Sequence, residues 1–104
     1  MFKPNYLVEA INHYGLETQQ KKLAEEVYEL QSAVNELQSA ENKKGYKNKT
    51  KLKEHVAEEI ADVLNLVEQI RLKCRVAQGH VNNFREFKAH RQHLRIQEEK
   101  NEQQ

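Results

Sequence analysis

Apolar residues recur along this chain at helical spacing. Leu23, Val27, Leu30, Val34 and Leu37 step by four, three, four and three, which puts them on one face of a helix. Val56, Ile60, Val63, Val67, Ile70 and Cys74 repeat the pattern. Two such stripes joined by a turn describe an antiparallel helical hairpin. Its first helix is expected from Leu16 to about Ser39 and its second from about Lys51 to Ala77. Between them, ENKKGYKNKT (41–50) reads as a lysine-rich turn around Gly45, with Thr50 as the N-cap of the next helix. Gln78-Gly79 is expected to end that helix. Residues 5–14 read as a short helix entering a turn at Gly15, and Val81 to Gln97 as a fourth helix. The polar residues 98–104 are expected to fray. The expected fold is therefore all-α, a bundle of about four helices in a single domain over 1–97.

Composition narrows this further. At 104 residues and 12.3 kDa the chain is the size of one domain. Mean hydropathy is −0.98 and charged residues make up 32%, too polar for a short chain to cover both stripes well alone. The bundle is expected to be completed by homo-oligomerisation, as a dimer or a dimer of dimers. A parallel sheet would need apolar strands between turn signals, and none is present. No stretch approaches the ~18 apolar residues of a membrane span. MFKPNYLVEAINHYG has no apolar block followed by small residues, so no signal peptide is expected. The single cysteine fits a reducing compartment, and a cytoplasmic protein is expected. Seventeen basic residues balance sixteen acidic ones, which gives no overall pull toward nucleic acid.

The candidate chemistry lies in a short repeat. Ala24-Glu25-Glu26-Val27-Tyr28-Glu29-Leu30 matches Ala57-Glu58-Glu59-Ile60-Ala61-Asp62-Val63. With each stripe set at zero, Glu26 and Glu59 fall about 60° to one side, at ~100° per residue. Glu29 and Asp62 fall about 120° round on the same side. Glu25 and Glu58 point nearly away. Pairing the stripes brings two carboxylate pairs, each at i, i+3, to the flanks of the seam, where they repel and resist desolvation. A cation relieves both effects, and all-oxygen ligation suits Mg²⁺ or Mn²⁺. Mg²⁺ sites commonly take substrate phosphates as well, which points to metal-assisted chemistry on a phosphorylated substrate. Glutamates are also ordinary helix formers on solvated faces. The same face carries Gln19 and Lys22 before Glu26, and Asn65 and Gln69 after Asp62. These are either ligand-reading groups or a polar helix face.

At these residues the chain resembles the all-α nucleoside triphosphate pyrophosphohydrolases, the MazG-like group. Their signature is Glu-Glu-x-x-Glu on one helix and Glu-x-x-Asp on the next, here Glu25-Glu26-Val27-Tyr28-Glu29 and Glu59-Ile60-Ala61-Asp62. Gly15 and Gln19 upstream, Leu30 after the first motif and Val63-Leu64 after the second also fit. Lys88-x-x-Arg91-x-x-x-Arg95-Ile96 looks like the basic helix of short, phage-type members. Many members have an aromatic shortly after the Asp, where this chain has Leu64, Asn65 and Leu66. The resemblance implies a helical bundle completed by dimerisation. It implies Mg²⁺-dependent hydrolysis of a (d)NTP between the α and β phosphates, yielding a monophosphate and pyrophosphate, in nucleotide-pool housekeeping. Glu26, Glu29, Glu59 and Asp62 would hold the metal. Glu25, with Glu26, would serve the catalytic step, Glu25 either as an acid behind the direct metal ligands or by supporting the attacking water. Gln19, Lys22 and Asn65 would contact substrate, as would Lys88, Arg91 and Arg95, whose spacing puts them on one side of the fourth helix; arginine forks suit phosphate.

Other residues have plainer readings. The turn lysines Lys43, Lys44, Lys47, Lys49, Lys51 and Lys53 form a solvated linker or steer a triphosphate. With only Tyr46 among them they lack the interleaved aromatics of a nucleic-acid surface. His90 and His93 sit at i, i+3 without a third soft ligand at zinc spacing. His55, four residues before Glu59, is within reach of the acidic site. Cys74 falls on the apolar stripe and is expected in the core. No glycine-rich phosphate loop and no nucleophilic triad is present. Two other functions compete with hydrolysis. One is a non-catalytic interaction module that binds a cation or a protein through its acidic face. The other is a helical nucleic-acid binder using the lysine turn and the fourth helix.

Overall fold

The computed structural model describes residues 5–43 and 49–103. It contains four helices, α1 (Asn5–Tyr14), α2 (Leu16–Glu41), α3 (Lys49–Lys73) and α4 (Gln78–Glu102), and no strand among the described residues. The fold is all-α. The turn centred on Gly45, with Lys44 and Lys47, lies outside the described residues.

The chain divides into two compact units, 1–74 and 75–104. In the first, α2 and α3 form the main pair and α1 packs on both, chiefly on α3. Gln19 near the start of α2 bonds Gln69 near the end of α3, so the pair runs antiparallel. The core holds Leu7 and Ile11 of α1, Ala33 and Ala40 of α2, and Leu52 and Leu66 of α3. Lys73 Nζ of α3 also donates to Asn12 Oδ1 of α1 at 3.5 Å.

The buried line is not centred on the expected stripe. On α2 it runs through Gln19, Leu23, Glu26, Leu30, Ala33, Leu37 and Ala40, and on α3 through Leu52, Val56, Glu59, Val63, Leu66 and Ile70. Each helix is turned by about 50° toward its acidic flank relative to the apolar stripe (3.6 residues per turn). The most buried apolar residues of this line are the small Ala33 and Ala40 on α2 and the large Leu52 and Leu66 on α3. The other half of the stripe, Val27, Val34, Ile60 and Val67, is exposed, together with Tyr28 and Leu64.

One residue joins α1 to α2. The Gly15 amide donates to Ile11 O at 2.9 Å and closes α1, while Gly15 O accepts from the Gln19 amide at 3.1 Å and opens α2. Gly15 does both at φ 90, ψ 158, a region essentially confined to glycine.

Three expectations about helix ends are corrected. α3 is already helical at Lys49, so Thr50 lies inside its first turn and is not the N-cap. α3 stops at Lys73 and Arg75 takes a left-handed φ of 58, so Gln78-Gly79 does not end it. Those residues instead form the first turn of α4, whose start is marked by extended Ala77 and by the His80 and Val81 amides donating to Ala77 O. A glycine in a first turn and one after a last turn look alike in sequence. Cys74, expected in the core, is exposed, because α3 has already ended.

The second unit is α4 with residues 75–77. The helix continues through 98–102, where fraying was expected. No residue of α4 is buried, and Phe84, Phe87, Leu94 and Ile96 are exposed. No helix among the described residues is long and apolar enough to cross a membrane.

The two described glycines make opposite predictions. A Cβ would meet nothing within 4 Å at either, so the backbone alone decides. Gly15→Ala should lower unfolding stability by about 1–3 kcal/mol. Gly79→Ala should be neutral or stabilising by up to ~1 kcal/mol, through helix propensity. Urea denaturation of the two variants checks both, and a destabilised Gly79→Ala would contradict its placement inside α4.

Candidate functional site

The rotation of the α2–α3 seam has a chemical consequence. It carries Glu26 and Glu59, which the apolar stripe alone would leave at the flanks, into the contact itself. Their side chains are only 14% and 12% exposed. Asp62, one turn beyond Glu59, remains exposed at the edge. One carboxylate oxygen from each of Glu26, Glu59 and Asp62 lies within 4.8 Å of the others.

One cation, Lys22, offsets part of this charge. Lys22 Nζ lies 3.3 Å from Glu26 Oε1 and 3.9 Å from Glu25 Oε2. The hydrogen bond and charge of Glu26, with Glu25 adding to them, hold the Lys22 ammonium above its ordinary value. His55 Nδ1 lies 3.9 Å from Glu59 Oε1. The remaining oxygen, Glu59 Oε2, is buried without a hydrogen-bond partner. Desolvation first, then a hydrogen bond shared with the Glu26 carboxyl, and then the charges of Glu26 and Asp62, raise Glu59 above its ordinary carboxylate value.

This donor set fits a hard divalent cation. Three carboxylates converge from two rigid helices, and the most enclosed of them keeps an oxygen with no protein donor. Unpaired buried charge is among the more destabilising features a fold can carry, and oxygen-only donors at close quarters select Mg²⁺, Mn²⁺ or Ca²⁺ over softer metals.

A cleft of about 760 Å³ adjoins the cluster, within the range usual for small-molecule sites. Glu26 and Asp62 line one part, with Glu25 and Lys22 beside them, and Gln19 and Asn65 line another. Six of the residues singled out from the sequence thus share one cavity. Glu29 is exposed and stands outside the group of three. Lys88, Arg91 and Arg95 belong to the second unit and are exposed on α4, where the Arg91 guanidinium lies 5.9 Å from the Phe87 ring centre. The His90 and His93 rings stack at 6.4 Å. Among the described residues, the acidic trio is the group of three or more metal-ligating side chains, and the histidine pair is not part of one.

The cleft also includes Gln69, already noted on the acidic face, and four residues absent from the expected site, namely Tyr14, Thr18, Lys21 and Leu66. Tyr14 carried a signal in retrospect, since it immediately precedes the Gly15 break that turns α1 into α2. Gln69 was visible as a polar residue on the acidic face, but its pairing with Gln19 depends on the helix register.

Comparison of the chain with protein-family models, with curated proteins and with solved structures gives no match. The reading of the site therefore rests on its residues and geometry.

The raised Glu59 makes a signed prediction for the metal-free protein. A carboxyl whose value is higher folded than unfolded favours folding while protonated. That contribution is complete below the ordinary value of 4.5 and is lost as pH rises through the folded value. Glu59→Gln should therefore raise the Tm of the metal-free protein at neutral pH and flatten its pH dependence. It should also abolish stabilisation by Mg²⁺, which for one intact site reaches about 1.4 kcal/mol at ten times Kd. Thermal melts with Mg²⁺ and with EDTA from pH 4 to 8 measure both effects, and a destabilised metal-free variant would refute the electrostatic account.

Proposed function

We propose that this protein is a Mg²⁺-dependent nucleoside triphosphate pyrophosphohydrolase of MazG-like type. The observation that carries the reading is the convergence of Glu26, Glu59 and Asp62, from the two copies of the acidic repeat, at the edge of a nucleotide-sized cleft. The sequence resemblance supports the same activity.

In this reading water attacks the α-phosphorus of a (d)NTP. The bond from that phosphorus to the oxygen bridging to the β-phosphate breaks, and the nucleoside monophosphate and pyrophosphate leave. Bound Mg²⁺ would neutralise phosphate oxygens and acidify a coordinated water. Glu26, Glu59 and Asp62 would hold the ion, with Glu29, exposed one turn on along α2, as a further oxygen donor on the same flank. Mn²⁺ suits the same oxygens. Glu25, exposed on the cleft wall, accepts a proton from the attacking water. Lys22 stays charged beside Glu26 and faces phosphate oxygens on the same wall. Gln19 and Asn65 contact the remainder of the substrate. Lys88, Arg91 and Arg95 form one cationic edge of α4 suited to a pyrophosphate. The exposed Val27, Val34, Ile60 and Val67 stripe is the face through which two copies pair.

The primary test is pyrophosphate release from the eight common NTPs and dNTPs, with Mg²⁺ and with EDTA. Metal-dependent release from one or a few of them is the expected result. Glu26→Gln and Asp62→Asn should each reduce kcat by at least about 100-fold, the scale of losing a preorganised electrostatic group, with helicity unchanged. Full activity in both variants would remove the carboxylate assignment. Mg²⁺-dependent nucleotide binding with no turnover would make the protein a binding module. For the apolar stripe, Val27→Glu with Val67→Glu should shift sedimentation from an oligomer to a monomer.

A further inference from the structure

The end of the cleft away from the carboxylates contains a feature that hydrolysis does not use. Gln19 and Gln69 are 7% and 5% exposed, in helices whose other buried residues are alanine and leucine. Burying an amide is unfavourable unless its hydrogen bonds are made, and two leucines would fill the same space without that requirement. The amides meet across the helix pair, where Gln19 Nε2 donates to Gln69 Oε1 at 2.9 Å. That bond holds both rotamers. It leaves the Gln19 amide oxygen and the Gln69 amide nitrogen, one acceptor and one donor, on residues that line the cleft. Exchanging the amide orientations of both residues leaves one donor and one acceptor again. Tyr14, exposed at 58%, lines the same cleft from the α1–α2 junction and presents an aromatic ring there.

We infer that Tyr14, Gln19 and Gln69 form a nucleobase-recognition end of the cleft, in which the glutamine pair reads the base edge and Tyr14 stacks on the ring. The inference rests on the nucleotide reading of the cleft and adds to it the determinant of base specificity. Every nucleobase presents neighbouring donors and acceptors on its pairing edge, and paired amide groups discriminate among those patterns. Aromatic stacking adds affinity with little base preference. The spacing is suitable: Gln19 precedes Glu26 by seven residues, about 10.5 Å along the helix axis, so the base and the reacting phosphate occupy different ends of one groove. The fixed amide pair also assigns specificity to residues whose positions do not depend on substrate binding.

The test is equilibrium binding, by calorimetry, of triphosphates with a non-hydrolysable α–β bridge, one for each base, in Mg²⁺. Inorganic tripolyphosphate serves as the base-free probe. The wild-type chain should prefer one base and bind it more tightly than tripolyphosphate. Gln19→Leu with Gln69→Leu, which keeps the volume and removes the polar edge, should reduce the preference between bases by roughly 5- to 150-fold, with tripolyphosphate affinity unchanged. Tyr14→Leu, at an exposed position that is no threat to folding, should weaken every nucleotide by roughly 5- to 150-fold and leave tripolyphosphate alone. An unchanged base ratio in the double variant, together with unchanged nucleotide affinity in Tyr14→Leu, would overturn the inference while leaving the hydrolase reading intact. Equal or parallel loss of tripolyphosphate would also overturn it, by showing that these residues support the fold or the phosphates. Failure of the wild-type chain to bind any nucleotide or tripolyphosphate with Mg²⁺ would remove the nucleotide reading itself, and the base site with it.

Discussion

Two glutamates packed into a helix–helix contact are the constraint from which the rest of the first unit follows. Glu26 and Glu59 occupy positions in the α2–α3 seam that an ordinary hairpin would give to leucine. Because the two acidic repeats have the same offset from their apolar stripes, rotating both helices toward that flank brings both acids in together. Asp62 then falls at the rim and closes a three-carboxylate group. The raised Glu59 and its unpartnered Oε2 are consequences of one placement, low-dielectric packing beside like charge. Lys22 reduces the repulsion from one edge, but it does not donate to the enclosed oxygen.

The rotation also explains the exposed valines. A stripe that is apolar over a wide arc can serve two contacts, one on each side. Here the side nearer the acids meets the other helix of the same chain, with Ala33 and Ala40 buried on it. The side containing Val27, Val34, Ile60 and Val67 is left to solvent within the single chain. Had the stripes met centrally, these valines would be covered and the carboxylates would lie in water, where each would be an ordinary surface acid. The acidic centre and the uncovered apolar face are therefore two results of the same helix orientation.

Much of this was legible in the residues and some was not. The four helices, the break at Gly15 and the meeting of the two repeats follow from spacing, because helical period determines which positions share a face. Which half of a broad face turns inward does not follow, since Leu30 or Val63 fits either choice and alanine gives no periodic signal. The end of α3 at Lys73 was missed because nothing about Arg75 announces a left-handed residue, while Gly79 does announce a breaker and is used as the opening of α4. Gln19 was visible as a candidate. That it meets Gln69 depends on a register between residues fifty positions apart, which pattern cannot supply. Lys88, Arg91 and Arg95 show their shared side of α4 through spacing alone, and spacing within one helix carries no information about a second compact unit.

The distribution of rigidity in the cleft supports the division of labour proposed for it. The acidic end brings together side chains that repel one another, so a ligand of opposite charge would stabilise it. The glutamine end is held by its own hydrogen bond, which orders both side chains and still leaves one acceptor and one donor on the cleft. Gly15 links them mechanically: its left-handed backbone places Tyr14 at the close of α1 and Gln19 one turn into α2. A site with a preformed recognition end and an electrostatically incomplete reaction end binds the neutral part of a substrate by fit and the charged part by neutralisation. Those are the separate demands of the base and the triphosphate of a nucleotide.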